Sequence, residues 1–213
     1  MQKRILGCLA FIVVIVLVAV IVAALSSIGI YNGMVSSSQA VDQQWAQVQN
    51  VYQRRADLIP NLVKTVAGAA NFEKSTLVEV TQARASVGQV KINPGTAPTD
   101  PADLQKFQQA QDGLSSALSR LLVVSERYPD LRANQNFVDL QAQLEGTENR
   151  ISVERGRFNE AVQTYDTKIQ TFPGVFLAPM MGFKPKPYFS ATAGSEVPPK
   201  VDFDFGTPAP AKP

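Results

Sequence analysis

The sequence predicts an all-α protein, an N-terminal transmembrane helix followed by an antiparallel up-and-down four-helix bundle. Three observations carry that reading. An uncharged apolar run, ILGCLAFIVVIVLVAVIVAAL, occupies Ile5 to Leu25. Beyond it, apolar residues recur at steps of three and four, the period of a helix with one buried face. Breaks rich in Gly, Pro and Asn divide this stretch into four segments with short connections, which force neighbouring helices to run in opposite directions. The chain divides into a terminus (1–4), an anchor (5–30), a helical bundle (38–172), an apolar segment (173–189) and a Pro/Ala-rich flexible tail (190–213).

The apolar run is long enough, at 1.5 Å per residue, to span about 30 Å of hydrocarbon. A cleaved signal peptide has an apolar region of only about 7–15 residues, so an uncleaved anchor is expected. Lys3 and Arg4 precede the run, and the first charge after it is Asp42. By the positive-inside rule the N-terminus is cytoplasmic, the anchor crosses the inner membrane once, and the bundle lies on the periplasmic side. Cys8 falls inside the run and reads as a small apolar residue of the span. Residues 26–38, with Gly29, Gly33 and several serines, are either a short linker or a continuation of the anchor helix.

The first bundle helix aligns Val41, Trp45, Val48, Tyr52, Ile59, Val63 and Val66. Pro60 interrupts it, so either the helix kinks there or a new helix begins with Asp57 as its cap and Pro60 in its first turn; the stripe keeps its phase, which favours the kink. Gly68 to Asn71 form the break, with Asn71 as a cap for the next helix. The second stripe is Leu77, Val80 and Val87, and residues 88–100 read as a loop. Asp100, Pro101 and Asp103 together signal a helix start. The third helix carries Leu104, Phe107, Leu114, Leu118, Leu121 and Tyr128, with Gln111 and Ser125 filling the same seam, and Pro129 is expected to stop it. The fourth runs from about Asn134 to Thr171 on Phe137, Leu140, Leu144, Ile151, Phe158, Val162, Tyr165 and Ile169.

The chain has no histidine and one cysteine. That excludes Ser–His and Cys–His nucleophiles, HExxH zinc sites, intrachain disulfides and thiolate clusters. There is no S-x-x-K or G-x-S-x-G motif. The net charge of +2 has no basic run behind it, so nucleic acid is not a partner. No enzyme and no cofactor are expected.

Five charges fall on stripes that should meet: Arg55, Glu73, Arg84, Glu148 and Arg155. An isolated buried charge is costly. These groups therefore either cover apolar surface with their heads in water, or form an Arg–Glu network that fixes register, or hold an anion.

YQRRADLIPNLV (52–63), FEKSTLVEVTQARA (72–85) and YPDLRANQNFVDLQAQLEGTENRISVERGRFNEAV (128–162) resemble the LemA family of bacterial membrane-anchored proteins, as does FPGVFLAPMMGFKPKPYF (172–189). The resemblance implies one N-terminal membrane helix, a four-helix bundle and assembly at the membrane, without an established catalytic activity. Phe72 stands where many members carry His, so that histidine is not a requirement here.

Three reversals return the chain to the membrane after the fourth helix. Phe172, Phe176, Met180, Phe183, Lys184, Lys186, Tyr188 and Phe189 therefore either enter the bilayer interface or pack on the membrane-proximal end of the bundle, over Trp45 or its neighbours. The same surface would also suit a partner protein. PPKVDFDF (198–205) either folds back locally or adds as a strand to a partner. The function expected is that of a non-catalytic scaffold or adaptor, with the lipid bilayer and either itself or neighbouring membrane proteins as partners. The alternative is a bundle that binds a small ligand or anion through its interhelical arginines.

Overall fold

The computed structural model describes residues 2–69, 72–90 and 92–191. The Asn71 cap and the 198–205 patch lie outside them, as do the tail beyond residue 191 and the surroundings of the Cys8 side chain. The described residues form six helices and no strand.

Helix α1 (Gln2–Ala67) is one uninterrupted rod of 66 residues, about 100 Å long. Of the two readings of residues 26–38, helix continuation is the one observed. Glycine inside a helix costs only about 1 kcal/mol, and Ser37 Oγ donates back to the Gly33 carbonyl at 2.9 Å. The large apolar side chains from Phe11 to Val22 are all half or more exposed. Burial begins at Met34.

The helix also continues through Pro60, and its buried seam reads Val41, Trp45, Val48, Tyr52, Arg55, Ile59, Leu62, Val66. Leu62 takes the inward place expected for Val63, because steps of three and four from Ile59 land on Leu62 and Val66.

Helix α2 (Lys74–Gln89) buries only Thr76 and Val80, with Leu77 and Val87 at the edge. Helix α3 (Pro101–Ser125) starts as its sequence dictates: the Asp100 carboxylate accepts from the Ala102 amide at 2.8 Å, and Pro101 occupies the first turn. It ends at Ser125, short of Tyr128. Pro129, expected to stop that helix, instead opens the short α4 (Pro129–Arg132), since a first-turn amide has no helical partner to lose. Helix α5 (Gln135–Gln170) is capped by Asn134 Oδ1, which accepts from the Asn136 and Phe137 amides. Helix α6 (Gly174–Met180) follows, and residues 183–190 continue without regular structure as a strap.

Contacts fix the directions. Lys168 donates to the Gly33 carbonyl, Trp45 meets Phe158, and Arg55 meets Glu148, so α5 runs antiparallel to α1. Glu73 with Arg127 and Glu79 with Arg120 show α2 antiparallel to α3.

The core has two clusters. The near one, towards the anchor, gathers Trp45, Tyr52, Phe107, Phe158, Tyr165 and Phe189. The far one gathers Leu62, Leu114, Leu118, Leu121, Leu131 and Leu144 with Phe72 and Phe137.

Candidate functional site

Between the two clusters lies a polar layer. Arg55 takes the seam position between Tyr52 and Ile59 and is 1% exposed. Its side chain leaves α1 and crosses the bundle. One terminal nitrogen donates to Glu148 Oε1 and to Ser115 Oγ, each at 2.7 Å. The other donates to the side-chain carbonyl of Gln111 and to its backbone carbonyl. The guanidinium also lies over the Tyr52 ring, 5.1 Å from its centroid. Burial pushes the Tyr52 hydroxyl above its ordinary pKa, against the charges of Arg155 and Arg55. Nε of Arg55 is buried and makes no hydrogen bond among the described residues. A buried guanidinium is tolerable because helices α3 and α5 supply its acceptors.

The strap closes the near end. The Phe189 amide donates to Asn159 Oδ1 at 2.9 Å, and Asn159 Nδ2 donates to the Phe189 carbonyl at 3.0 Å. This pair holds the Phe189 ring against Trp45 and Phe158, with centroids 6.0 and 5.4 Å away. The Arg155 guanidinium also lies over that ring, 4.8 Å from its centroid, and donates to the Ser190 carbonyl at 2.9 Å. Gln108 donates to the same carbonyl from α3.

Lys186, 7% exposed, donates to Asp42 Oδ1 at 2.9 Å, and its backbone amide donates to Asp166 Oδ1. Asp42 Oδ1 also accepts from the Ala97 amide, so one carboxylate ties strap and loop 92–100 to α1. Burial raises the Asp166 pKa, opposed by the Lys186 amide, the Tyr188 hydroxyl and the Lys186 charge.

The five charges do not form one network. Arg55 and Glu148 meet, although Thr147 takes the inward place next to them and Glu148 stands at the edge of the seam. Glu73 pairs with Arg127 at the exposed far end of α2 and α3. Arg84 is exposed, and its Nε donates to the Ala56 carbonyl at 3.2 Å. That carbonyl is four residues before Pro60, which has no amide to offer it. Arg84 therefore replaces the hydrogen bond the proline removed. Arg155 belongs to the strap.

The apolar segment is divided. Lys186 and Phe189, expected among the lipid-facing candidates, are inside the bundle, because Asp42 and the Trp45 pocket receive them. Phe183 packs partly against the near cluster and touches the Tyr31 ring. Tyr188 is half-exposed and Lys184 exposed. Phe172, Phe176 and Met180 are 81%, 68% and 85% exposed. Asp42, Asn159 and Gln108 escaped sequence reasoning. Each is an ordinary polar residue on a helix whose partner lies dozens of residues away.

The LemA family model matches residues 44–203. The chain belongs to the LemA family. Magnetosome protein MamQ 2 of Paramagnetospirillum magneticum and magnetosome protein MamQ of Magnetospirillum gryphiswaldense are each 27% identical to it over 186 residues, 79% of this chain and 67% of theirs. Protein LemA of Metamycoplasma hominis is 23% identical over 145 residues, 68% of this chain and 62% of its own. Among the described residues one helix, α1, is long and apolar enough to cross a membrane, and with its LemA family membership and likeness to MamQ the chain is a membrane-associated protein.

Proposed function

We propose that the chain is a non-catalytic scaffold or adaptor, anchored in the inner membrane with its N-terminus cytoplasmic and its head on the periplasmic side. One observation carries this: α1 passes from a naked apolar span into the packed head without a break, so a bilayer-crossing rod and a rigid binding surface are one element. Lys3 and Arg4 before the span support the orientation. The absence of histidine and of S-x-x-K and G-x-S-x-G motifs removes the His-assisted and Ser–Lys nucleophiles from consideration. Two relatives named as magnetosome proteins support assembly on a membrane-bounded structure.

The alternative, an anion held by interhelical arginines, is less favoured. Both terminal nitrogens of Arg55 are taken by Glu148, Ser115 and Gln111, Arg84 serves the Ala56 carbonyl, and Arg155 serves the strap. The groove of about 480 Å³ between α3 and α5 presents Glu145 and Glu148, the wrong sign for an anion.

Photocrosslinking from exposed head positions in intact membranes, read by mass spectrometry, tests the scaffold. A discrete crosslinked protein, this chain or another, is expected, and a head that crosslinks to none overturns it. Protease added to spheroplasts should remove the head, and a protected head overturns the orientation.

A further inference from the structure

We propose that the corner between α5 and α6 is a second lipid contact, inserting Phe172, Phe176 and Met180 into the interfacial layer of the same bilayer that α1 crosses. The inference rests on the anchored reading above and adds to it that the head touches the membrane as well as being tethered to it.

Position comes first. α5 descends alongside α1 towards the span, and Lys168 donates to the Gly33 carbonyl. Phe172 lies just past the end of α5 at Gln170, further towards the anchor expected to end at Ile30. α6 is held at that height. A Cβ on Gly174 would meet the Lys168 carbonyl and come within 2.9 Å of the Met34 side chain, so only glycine lets the corner seat there. The headgroup layer is about 5–8 Å deep on each side of the hydrocarbon. Met34 is four residues past Ile30, about 6 Å along the helix.

Chemistry agrees with position. Gly174 and Ala178 face the bundle, while Phe172, Phe176 and Met180 face outward. The two phenylalanine rings pair edge-on at 6.3 Å, a joined apolar surface rather than scattered residues. Residues 167–191 contain three lysines and no acidic residue. Lys186 is used internally. Lys168 and Lys184 remain exposed, suited to anionic headgroups.

The full chain, with Cys8→Ser to remove the native thiol, is reconstituted in vesicles of phosphatidylcholine and phosphatidylglycerol. A nitroxide is then placed at one position at a time through Met180→Cys, Val123→Cys or Val18→Cys. Val123 is an exposed apolar residue of the far end, 70% exposed. Collisions with oxygen report lipid, and collisions with a water-soluble nickel chelate report water. The label at position 180 should favour oxygen several-fold over that at 123, approaching the one at 18. A label at 180 as aqueous as at 123, with 18 in lipid, overturns the second contact and leaves the anchor standing. A label at 18 that is itself aqueous overturns the anchored reading. A label at 180 shielded from both reagents means a protein covers the corner, and this also overturns the lipid contact.

Discussion

The half of the head nearest the apolar span and the half beyond Arg55 solve the same packing problem in different ways. The far half is rich in leucine from α1, α3 and α5, with α2 laid across it, and helices fill its interior apart from Phe72, which enters from the connection before α2. The near half is aromatic, and its helices leave the Trp45 pocket for Phe189, a residue of the strap, to close. A helical seam can specify a core unaided where its side chains interdigitate. Where large rings leave a gap, a segment from elsewhere in the chain must complete it.

The sharpest way to break this comparison is to empty each half in turn. Trp45→Ala should lose about 3–5 kcal/mol and free the strap, so that chymotrypsin cuts early after Phe189, which precedes Ser190. Leu121→Ala should lose about 2–5 kcal/mol with the strap still protected. Thermal denaturation and timed proteolysis read by mass spectrometry check both. Equal release of the strap by the two variants would show that the halves open as one.

The polar layer dividing them gives the next effect. Glu148→Gln leaves the Arg55 guanidinium buried without its counter-charge and should cost about 1–3 kcal/mol. Arg55→Met combined with Gln111→Leu removes that buried charge together with its buried acceptor and leaves Glu148 half-exposed to water, so its stability should equal or exceed wild type. Denaturant midpoints decide the order. If the methionine variant is the weaker of the two, the layer contributes net stability and not only the pairing of Arg55 with α3 and α5.

The smallest effect concerns the far half only. Arg84→Ala should lose about 0.5–1 kcal/mol by leaving the Ala56 carbonyl unpartnered. In a Pro60→Ala background the restored amide takes that carbonyl, and the same change should be nearly silent. An equal loss in both backgrounds, measured by the double-mutant cycle, would separate Arg84 from the proline.

The difference between the halves also marks what the sequence shows. The three-four spacing placed Trp45, Tyr52, Phe107, Leu121, Phe158 and Tyr165 inward, and Asp100 announced its helix through local capping. Gln111 stood out as a polar residue in an apolar seam, and it receives Arg55. The strap was visible only as a stretch too apolar to be free. Its seat depends on Asn159 reaching Phe189 and Asp42 reaching Lys186, contacts 30 and 144 residues apart that no period encodes. The third helix overran for a related reason: Tyr128 fits the stripe, yet its ring is taken by Phe72 beyond the helix end.

Because the rod has no swivel between Leu25 and Met34, the compass bearing of the head is tied to residue count. One residue inserted among 26–33 would lift the head about 1.5 Å and turn it about 100°, whereas seven would return it almost to its original azimuth. Lipid is indifferent to that rotation, but a neighbour in the membrane is not. Spacing in this short stretch therefore selects which flank of the head any adjacent protein meets.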